Sequence, residues 1–262
     1  MKSVGSGLVS IERDGRRGEV YLTRPRKANA MTIDLMKDMV EAFRRLDADD
    51  EIWAITILGQ GDVFSAGIDL DLMRSRTDPN ASVELEVFSR VLGVIENTRQ
   101  PVVAGIKGAA LAGAFELTLA CDLRVIGREA KYGLIETQLG TFPHGGGTQR
   151  LPRLIGLSKA KELVLTGKTI DPEEAYRIGL VHEIADDEEV DEHARSLADD
   201  LCENAPLALR HGKRALNASF EMPLEQGLEY ERTLGLQLDS THDYREGFEA
   251  RIEGREPEFR GE

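Results

Sequence analysis

Cysteine, aromatic residues and long apolar runs are scarce in this 262-residue chain. The two cysteines, Cys121 and Cys202, lie far apart, in neither a CxxC pair nor a metal-ligand spacing. We therefore expect two reduced, buried thiols in a cytoplasmic protein, and no metal site. No apolar run approaches the roughly 18 to 20 residues that span a bilayer. The N-terminus lacks an apolar signal segment, so neither a membrane nor a secreted location is predicted.

Basic charge is also in short supply. The 33 Lys and Arg residues stand against 47 Asp and Glu residues, and the net charge is −14. A chain this acidic repels phosphate, so nucleic acid is not an expected partner. The acidic runs at 47–51 and 186–189 fit either adaptation to a salty cytoplasm or an ordinary acidic surface. With 41% apolar and 31% charged residues, the composition is that of a globular protein.

The apolar periodicity predicts an α/β core. Strands are expected near 8–13, 18–22, 52–58, 102–106 and 122–126, and amphipathic helices at 33–47 and after about residue 83. Thr32 is the expected N-cap of helix 33–47. The segment 108–121 is predicted to be a loop of small residues that passes into a helix, and the segment 131–150 is predicted to be rich in loop. Strand patterns stop before residue 200, so we divide the chain into a core at 1–200 and a helical region at 201–262.

Two glutamates lie in apolar surroundings. Glu116 sits within GAALAGAFELTLAC, and Glu136 lies in a glycine-bounded loop. Burial raises the pKa of a carboxylate and prepares it for proton transfer. Two such acids suit a reaction that needs an acid and a base around one water molecule. A helix-capping or ion-paired role is the alternative for Glu116, and an ordinary turn role is the alternative for Glu136.

Glycine-containing junctions precede two predicted helices. The segment Ala66-Gly67-Ile68-Asp69 enters a helix-like run, and Gly113 begins the helix that carries Glu116. Backbone N–H groups at such positions can converge on a developing negative oxygen, although tight turns would give the same pattern. Phosphate-binding loops, dinucleotide fingerprints, GxSxG and HExxH are absent from the sequence.

These pieces, taken in order, resemble the enoyl-CoA hydratase/isomerase, or crotonase, superfamily. The resemblance runs over nearly the whole chain. It rests on the segments TRPRKANAM (23–31), FSAGIDL (64–70), GAALAGAFEL (108–117), ACD (120–122), ETQLGTFP (136–143), GGGTQR (145–150), 175–182 and PEF (257–259).

The resemblance implies a spiral of repeated ββα units with a helical C-terminal extension that serves oligomerisation or covers coenzyme A. It also implies an acyl-CoA substrate, no separate cofactor, and a homotrimer or a dimer of trimers. Ile68 and Gly113 would supply the two oxyanion-hole N–H groups. The residues implied to bind substrate or coenzyme A are Lys27, Ala28, Ala66, Asp69, Leu70, Arg255 and Phe259.

The two acids indicate the reaction within this superfamily, because hydratases use both positions. The implied activity is syn hydration of a trans-2-enoyl-CoA in fatty-acid β-oxidation or amino-acid catabolism. Glu116 would activate the water that adds to C3, and Glu136 would protonate C2. His144 replaces a glycine whose N–H helps to position the water, so its ring would either crowd that water, add a third acid/base group or turn outward.

Other functions remain open from the sequence. A double-bond isomerase would need one acid and no water. A branched-chain hydratase, a decarboxylase or a thioester hydrolase would share the oxyanion hole. A protein that binds acyl-CoA without catalysis is the alternative outside enzymes.

Overall fold

The computed structural model describes residues 1–75 and 82–262, with the side chains of all these except 75 and 82–85. The strands are β1 (Lys2–Val4), β2 (Val9–Asp14), β3 (Arg17–Leu22), β4 (Ala54–Gly59), β5 (Val102–Ile106), β6 (Ala109–Leu111), β7 (Leu123–Gly127), β8 (Lys131–Gly133) and β9 (Glu183–Ala185). The helices are α1 (Ile33–Asp47), α2 (Leu70–Ser75), α3 (Ser82–Asn97), α4 (Gly113–Leu119), α5 (Gly147–Ile155), α6 (Leu157–Thr166), α7 (Pro172–Arg177), α8 (Val190–Cys202), α9 (Pro206–Ala218), α10 (Leu224–Leu238) and α11 (His242–Glu253).

The main sheet has the order β1-β2-β3-β4-β5-β7-β9. Its first three strands are antiparallel, and all pairings from β3 onward are parallel. Every residue of β3, β4 and β5 is buried, because helices cover both faces of a parallel sheet. Helices α1 and α3 join the larger apolar core, and α8 packs against the opposite face through Val190, Ala194 and Ala198.

A second layer of short strands lies beside the main sheet. After each long strand the chain steps sideways into a short extended segment and then enters a helix. Strand β6 pairs in parallel with β8, and single bridges join Met31 to Ile68 and Ser65 to Ala110. This repeat of long strand, short strand and helix confirms the predicted α/β spiral. Because neighbouring segments are parallel, their C-terminal ends lie together.

Most of the predicted elements are confirmed, and four strands of three residues each were missed, namely β1, β6, β8 and β9. Helix α1 spans the predicted residues, and the Thr32 hydroxyl accepts a hydrogen bond from the Leu35 N–H at 3.3 Å. The missed strands β6 and β8 fall where loop was expected. Each has three residues and pairs with the other, so tertiary pairing rather than a readable alternation defines them.

Helices α9 to α11 follow the sheet. The Lys213 ammonium on α9 donates to Asp122 Oδ2 at 2.7 Å and to the Gln100 carbonyl at 2.9 Å, which ties this region to the core. The proposed division at residue 200 falls within α8 and stays a prediction. Cys121 is buried as expected, whereas Cys202 is half-exposed. Among the helices described above, none has both the length and the apolar character that a membrane span requires.

Candidate active site

The carboxylate of Glu116 is held by two backbone donors. Glu116 lies on α4, is 3% exposed, and its Oε1 accepts the N–H groups of Gly145 and Gly147, both at 2.8 Å. Burial, the largest cause, raises the pKa of Glu116 to about 6, and the two N–H groups oppose that rise. Glu116 is therefore a buried carboxyl group that is mostly ionised at neutral pH.

The glycines after His144 leave space for the Glu116 carboxylate. A Cβ on Gly145 would lie 2.7 Å from Glu116 Oε2 and would contact the Phe88 ring, and one on Gly147 would lie 3.0 Å from Glu116 Oε1. The Arg150 guanidinium donates to the Gly145 carbonyl at 3.2 Å and makes two bonds to the Glu96 carboxylate, at 3.0 and 2.6 Å. Neither Glu96 nor Phe88 could be recognised from the sequence, since both belong to the distant helix α3.

Glu136 has a different environment. It opens a 3₁₀ turn (Glu136–Leu139) and is 7% exposed. Neither of its carboxylate oxygens has a hydrogen-bond partner in the described part of the chain. Burial is the largest cause that raises the pKa of Glu136 to about 7. The backbone N–H of Glu136 itself lowers this pKa, the Glu116 carboxylate raises it further, and His144 lowers it. The structure thus brings the two predicted acids into electrostatic contact.

The directions of the Ile68 and Gly113 N–H groups follow from hydrogen bonds made by the carbonyl on the other side of the same peptide. The Gly67 carbonyl accepts from Met31 N–H at 2.8 Å, so the N–H of Ile68, across the same trans peptide, points the opposite way. The Ala112 carbonyl accepts from Glu116 N–H at 3.0 Å inside α4. The N–H of Gly113 therefore projects from the N-terminus of that helix.

The segments that carry these two N–H groups touch. Gly67 has φ +99°, and a Cβ there would lie 2.6 Å from the Leu111 carbonyl and 3.6 Å from the Gly113 nitrogen. A Cβ on Gly113 would lie 3.0 Å from the Ile68 side chain. Because Gly113 begins the helix that carries Glu116 one turn later, the structure brings Ile68, Gly113 and Glu116 to one place. The arrangement can hold an oxyanion beside a carboxylate.

His144 lies in the loop between the 3₁₀ turn of Glu136 and helix α5. Its ring is half-buried, its Nδ1 is hydrogen-bonded to the Phe142 carbonyl, and its centroid is 5.3 Å from that of the Phe142 ring. The next residue is Gly145, one of the donors to Glu116. The predicted role of His144 in positioning water stays a prediction.

The residues predicted to bind coenzyme A fall into two places. Lys27 and Ala66 are exposed, Ala28 is half-buried, and the Ala66 N–H donates to the Ala28 carbonyl at 2.9 Å. The exposed Leu70 and the half-buried Asp69 follow Ile68 directly. One surface beside the Ile68 peptide therefore carries five of these residues, namely Lys27, Ala28, Ala66, Asp69 and Leu70.

The two predicted tail residues lie elsewhere. The Arg255 guanidinium pairs with the Glu246 carboxylate at 2.6 and 2.9 Å, and the Phe259 carbonyl accepts from Arg16 at 3.0 Å. In the part of the chain that the structure describes, none of their hydrogen bonds or ion pairs reaches the candidate residues of the core. Across residues 1–75 and 82–262, no group of three or more His, Cys, Asp or Glu residues is placed to hold a metal ion.

Comparison with known proteins agrees with this geometry. The family model described as enoyl-CoA hydratase/isomerase matches residues 17–262. A protein named probable enoyl-CoA hydratase from Mycobacterium bovis is 38% identical over 251 residues, which are 96% of this chain and 97% of the relative. One named short-chain-enoyl-CoA hydratase from Clostridium acetobutylicum is 32% identical, covering 95% and 96%. The crystal structure of an enoyl-CoA hydratase from Bacillus anthracis superposes with a TM-score of 0.93 at 33% identity, covering 97% of this chain and all of that one.

Proposed function

The chain belongs to the enoyl-CoA hydratase/isomerase family, and from that premise we propose that it is an enoyl-CoA hydratase. This hydro-lyase adds water reversibly across the double bond of a trans-2-enoyl-CoA thioester. The observation that carries the proposal is the pair of buried carboxyl groups, Glu116 and Glu136, with unequal hydrogen bonding. An acid and a base at one centre need pKa values that differ in this way.

The hydrogen bonds support the assignment of roles. The two N–H groups on Glu116 stabilise its charged form, so it is the base that takes a proton from the attacking water as the hydroxyl oxygen bonds to C3. Glu136, whose pKa is raised to about 7, holds a proton more readily and delivers it to C2. The N–H groups of Ile68 and Gly113 stabilise the negative charge on the thioester oxygen of the enolate intermediate.

The alternatives use less of this geometry. An isomerase moves one proton between carbons and requires a single acid, whereas here both carboxyl groups are buried and have raised pKa values. A protein that binds acyl-CoA without catalysis has no use for a buried carboxylate that lacks hydrogen-bond partners, since such a group destabilises the fold.

We further propose that Lys27, Ala28, Ala66, Asp69 and Leu70 line the path of coenzyme A, with Arg255 and Phe259 contributing from the C-terminal region. Coenzyme A is part of the substrate in this proposal, and no separate cofactor takes part. The family resemblance supports a homotrimer or a dimer of trimers. We also propose a cytoplasmic location, which the two free cysteines fit.

A hydration assay tests the proposed function. The substrate is a short-chain trans-2-enoyl-CoA, and the readout is the loss of the conjugated-thioester absorbance. We expect turnover by the wild type and a loss of about 10²–10⁴-fold in Glu136→Gln, the range for a general acid. Glu19→Gln is the matched control, since Glu19 is equally buried but is bonded to Arg17 and Arg195 on the α8 face of the sheet. Near-full activity of Glu136→Gln would overturn the assignment.

A further inference from the structure

An ion pair lies immediately beside the Ile68 peptide. Arg24 Nη1 donates to Asp69 Oδ2 at 2.6 Å and to the Ala30 carbonyl at 2.9 Å. The Arg24 and Asp69 side chains are 22% and 14% exposed, so the pair is shielded from water on most sides. One guanidinium thereby joins the segment that leads into Met31 to the segment that follows Ile68.

The Asp69 carboxylate is bonded on both of its oxygens. While Oδ2 accepts from Arg24, Oδ1 accepts the Asp71 N–H at 3.0 Å at the start of α2. The Asp69 N–H donates to the Met31 carbonyl at 3.0 Å. The hydrogen bond from Arg24 is the largest cause that lowers the pKa of Asp69, so the carboxylate is charged at neutral pH. The residue after Ile68 is thus fixed through its backbone and its side chain.

The residues before Ile68 are fixed separately. The Ser65 hydroxyl accepts the Gly67 N–H at 3.2 Å and donates to the Asn29 carbonyl at 2.9 Å. Asn29 is fully buried at φ +51°. Its side-chain amide donates to the carbonyls of Gln60 and Val63, at 3.0 and 2.7 Å. This side of the Ile68 peptide is therefore held by neutral groups, and the other side depends on the ion pair.

The direction of the Ile68 N–H depends on both sides. Its peptide plane is set by the bond from Met31 N–H to the Gly67 carbonyl and, one residue later, by the bond from Asp69 N–H to the Met31 carbonyl. A displacement of Asp69 rotates this plane, and a misplacement of about 1 Å at a reacting centre can cost on the order of 10²-fold in rate.

We propose that Arg24 and Asp69 are positioning residues that aim the Ile68 N–H at the thioester oxygen. The inference rests on the proposed function and extends it, because it gives Asp69 a task within the protein in addition to lining the path of coenzyme A. Arg24 has no other assigned role. Both residues act through the Ile68 peptide rather than by contact with the reacting atoms.

Polarisation of a bound thioester carbonyl is the decisive readout. A dienoyl-CoA thioester absorbs at longer wavelength when donors stabilise negative charge on its carbonyl oxygen, so its spectral shift on binding reports the alignment of the two N–H groups. We would compare the wild type, Asp69→Asn and Arg24→Lys in this shift and in kcat and KM for a short-chain enoyl-CoA. Asp191→Asn is the control, because the Lys107–Asp191 pair has the same 2.6 Å length and similar exposure but joins α8.

We expect a smaller spectral shift and a loss of kcat of about 10–100-fold in Asp69→Asn, with KM changed by less than about threefold. Arg24→Lys keeps the charge but removes the guanidinium whose Nη1 bonds both Asp69 Oδ2 and the Ala30 carbonyl, so it should lose less. It also supplies the test if Asp69→Asn does not fold. Wild-type shift and kcat in the folded variants would overturn the inference alone. A wild type that neither shifts the spectrum nor hydrates the thioester would overturn both the inference and the proposed function.

Discussion

Glu116 and Glu136 are the same residue type in equally apolar surroundings, yet their carboxyl groups differ in hydrogen bonding. Both are almost fully buried. Glu116 receives two N–H donors from the glycine loop, whereas Glu136 receives none from any other described residue. Burial raises both pKa values, to about 6 and about 7. Burial makes a carboxyl group reactive, and the local backbone donors determine whether that group serves as a base or as an acid.

The two carboxyl groups also differ in how they are supported. The loop that binds Glu116 is anchored by Arg150, which bridges the Gly145 carbonyl to Glu96. Glu136 begins a 3₁₀ turn that ends at Gly140 in the left-handed conformation. The side chains of Thr137 and Gln138 tie this turn to the carbonyls of Val164 and Gly167, and no such bond reaches the Glu136 carboxylate. A buried acceptor without a partner costs about 1–3 kcal/mol. We therefore expect Glu136 to be needed for activity and to lower the stability of the fold.

Shortening each acid by one methylene should affect the two sites differently. We expect the larger loss of stability at Glu116. In Glu116→Asp the carboxylate draws back from the Gly145 and Gly147 N–H groups, and buried donors lose their acceptor at about 1–3 kcal/mol each. We expect a lower melting temperature and a loss of about 10²-fold in kcat. Thermal unfolding and the hydration assay measure the two effects.

Glu136→Asp is the matched variant. It removes no hydrogen bond from the carboxylate, so its kcat should fall while its melting temperature stays close to that of the wild type. Equal destabilisation by the two substitutions would contradict the contrast.

The glycine loop can be perturbed without changing either acid. In Gly145→Ala the added methyl group would press on Glu116 Oε2 and the Phe88 ring, and over-packing of this kind typically costs about 1–3 kcal/mol. We expect kcat to fall on the order of tenfold, because the loop must shift and its N–H moves with it. Gly93→Ala is the control, since a Cβ there meets nothing within 4 Å. A loss of activity in both variants would point to a general effect of glycine replacement.

The sequence could predict the parts of this site that depend on local order. Short motifs reveal both acids, the glycine run and the start of a helix at Gly113. The amphipathic pattern predicts both ends of helix α1 correctly. The four missed strands could not be predicted, because three residues carry no periodicity. The pairing of β6 with β8 also joins segments about 20 residues apart.

The supporting groups lay beyond sequence reasoning for a similar reason. Arg150 was within a recognised motif, but its partner Glu96 is an ordinary helical acid 54 residues earlier in the chain. The pairing of Arg24 with Asp69 likewise joins residues 45 positions apart. Charged residues are abundant in this chain, and only the parallel stacking of the spiral determines which of them meet.

The cost of Glu136 to the fold should appear as a pH-dependent gain in Glu136→Gln. The folded-state pKa lies above the unfolded value, so the protonated group favours folding at low pH, and that stability is lost as pH rises through about 7. We expect Glu136→Gln to be more stable than the wild type above pH 7, by on the order of 2 kcal/mol, and this advantage to shrink towards pH 4.5. Denaturant unfolding at several pH values measures it. An advantage that grows as pH falls would have the wrong sign.

The smallest expected effect concerns His144, which lowers the pKa of Glu136. In the proposed mechanism Glu136 must carry a proton, so hydration is lost as pH rises through its pKa. In His144→Asn the interaction that lowers the pKa of Glu136 is gone, so this pKa rises and the alkaline limb of the kcat profile should move to higher pH by less than about one unit. His193→Asn, in which the altered histidine pairs with Glu183, should leave the limb in place. A limb that moves to lower pH would mean that His144 does not stabilise the charged form of Glu136, and an unmoved limb would assign the acid step to another group.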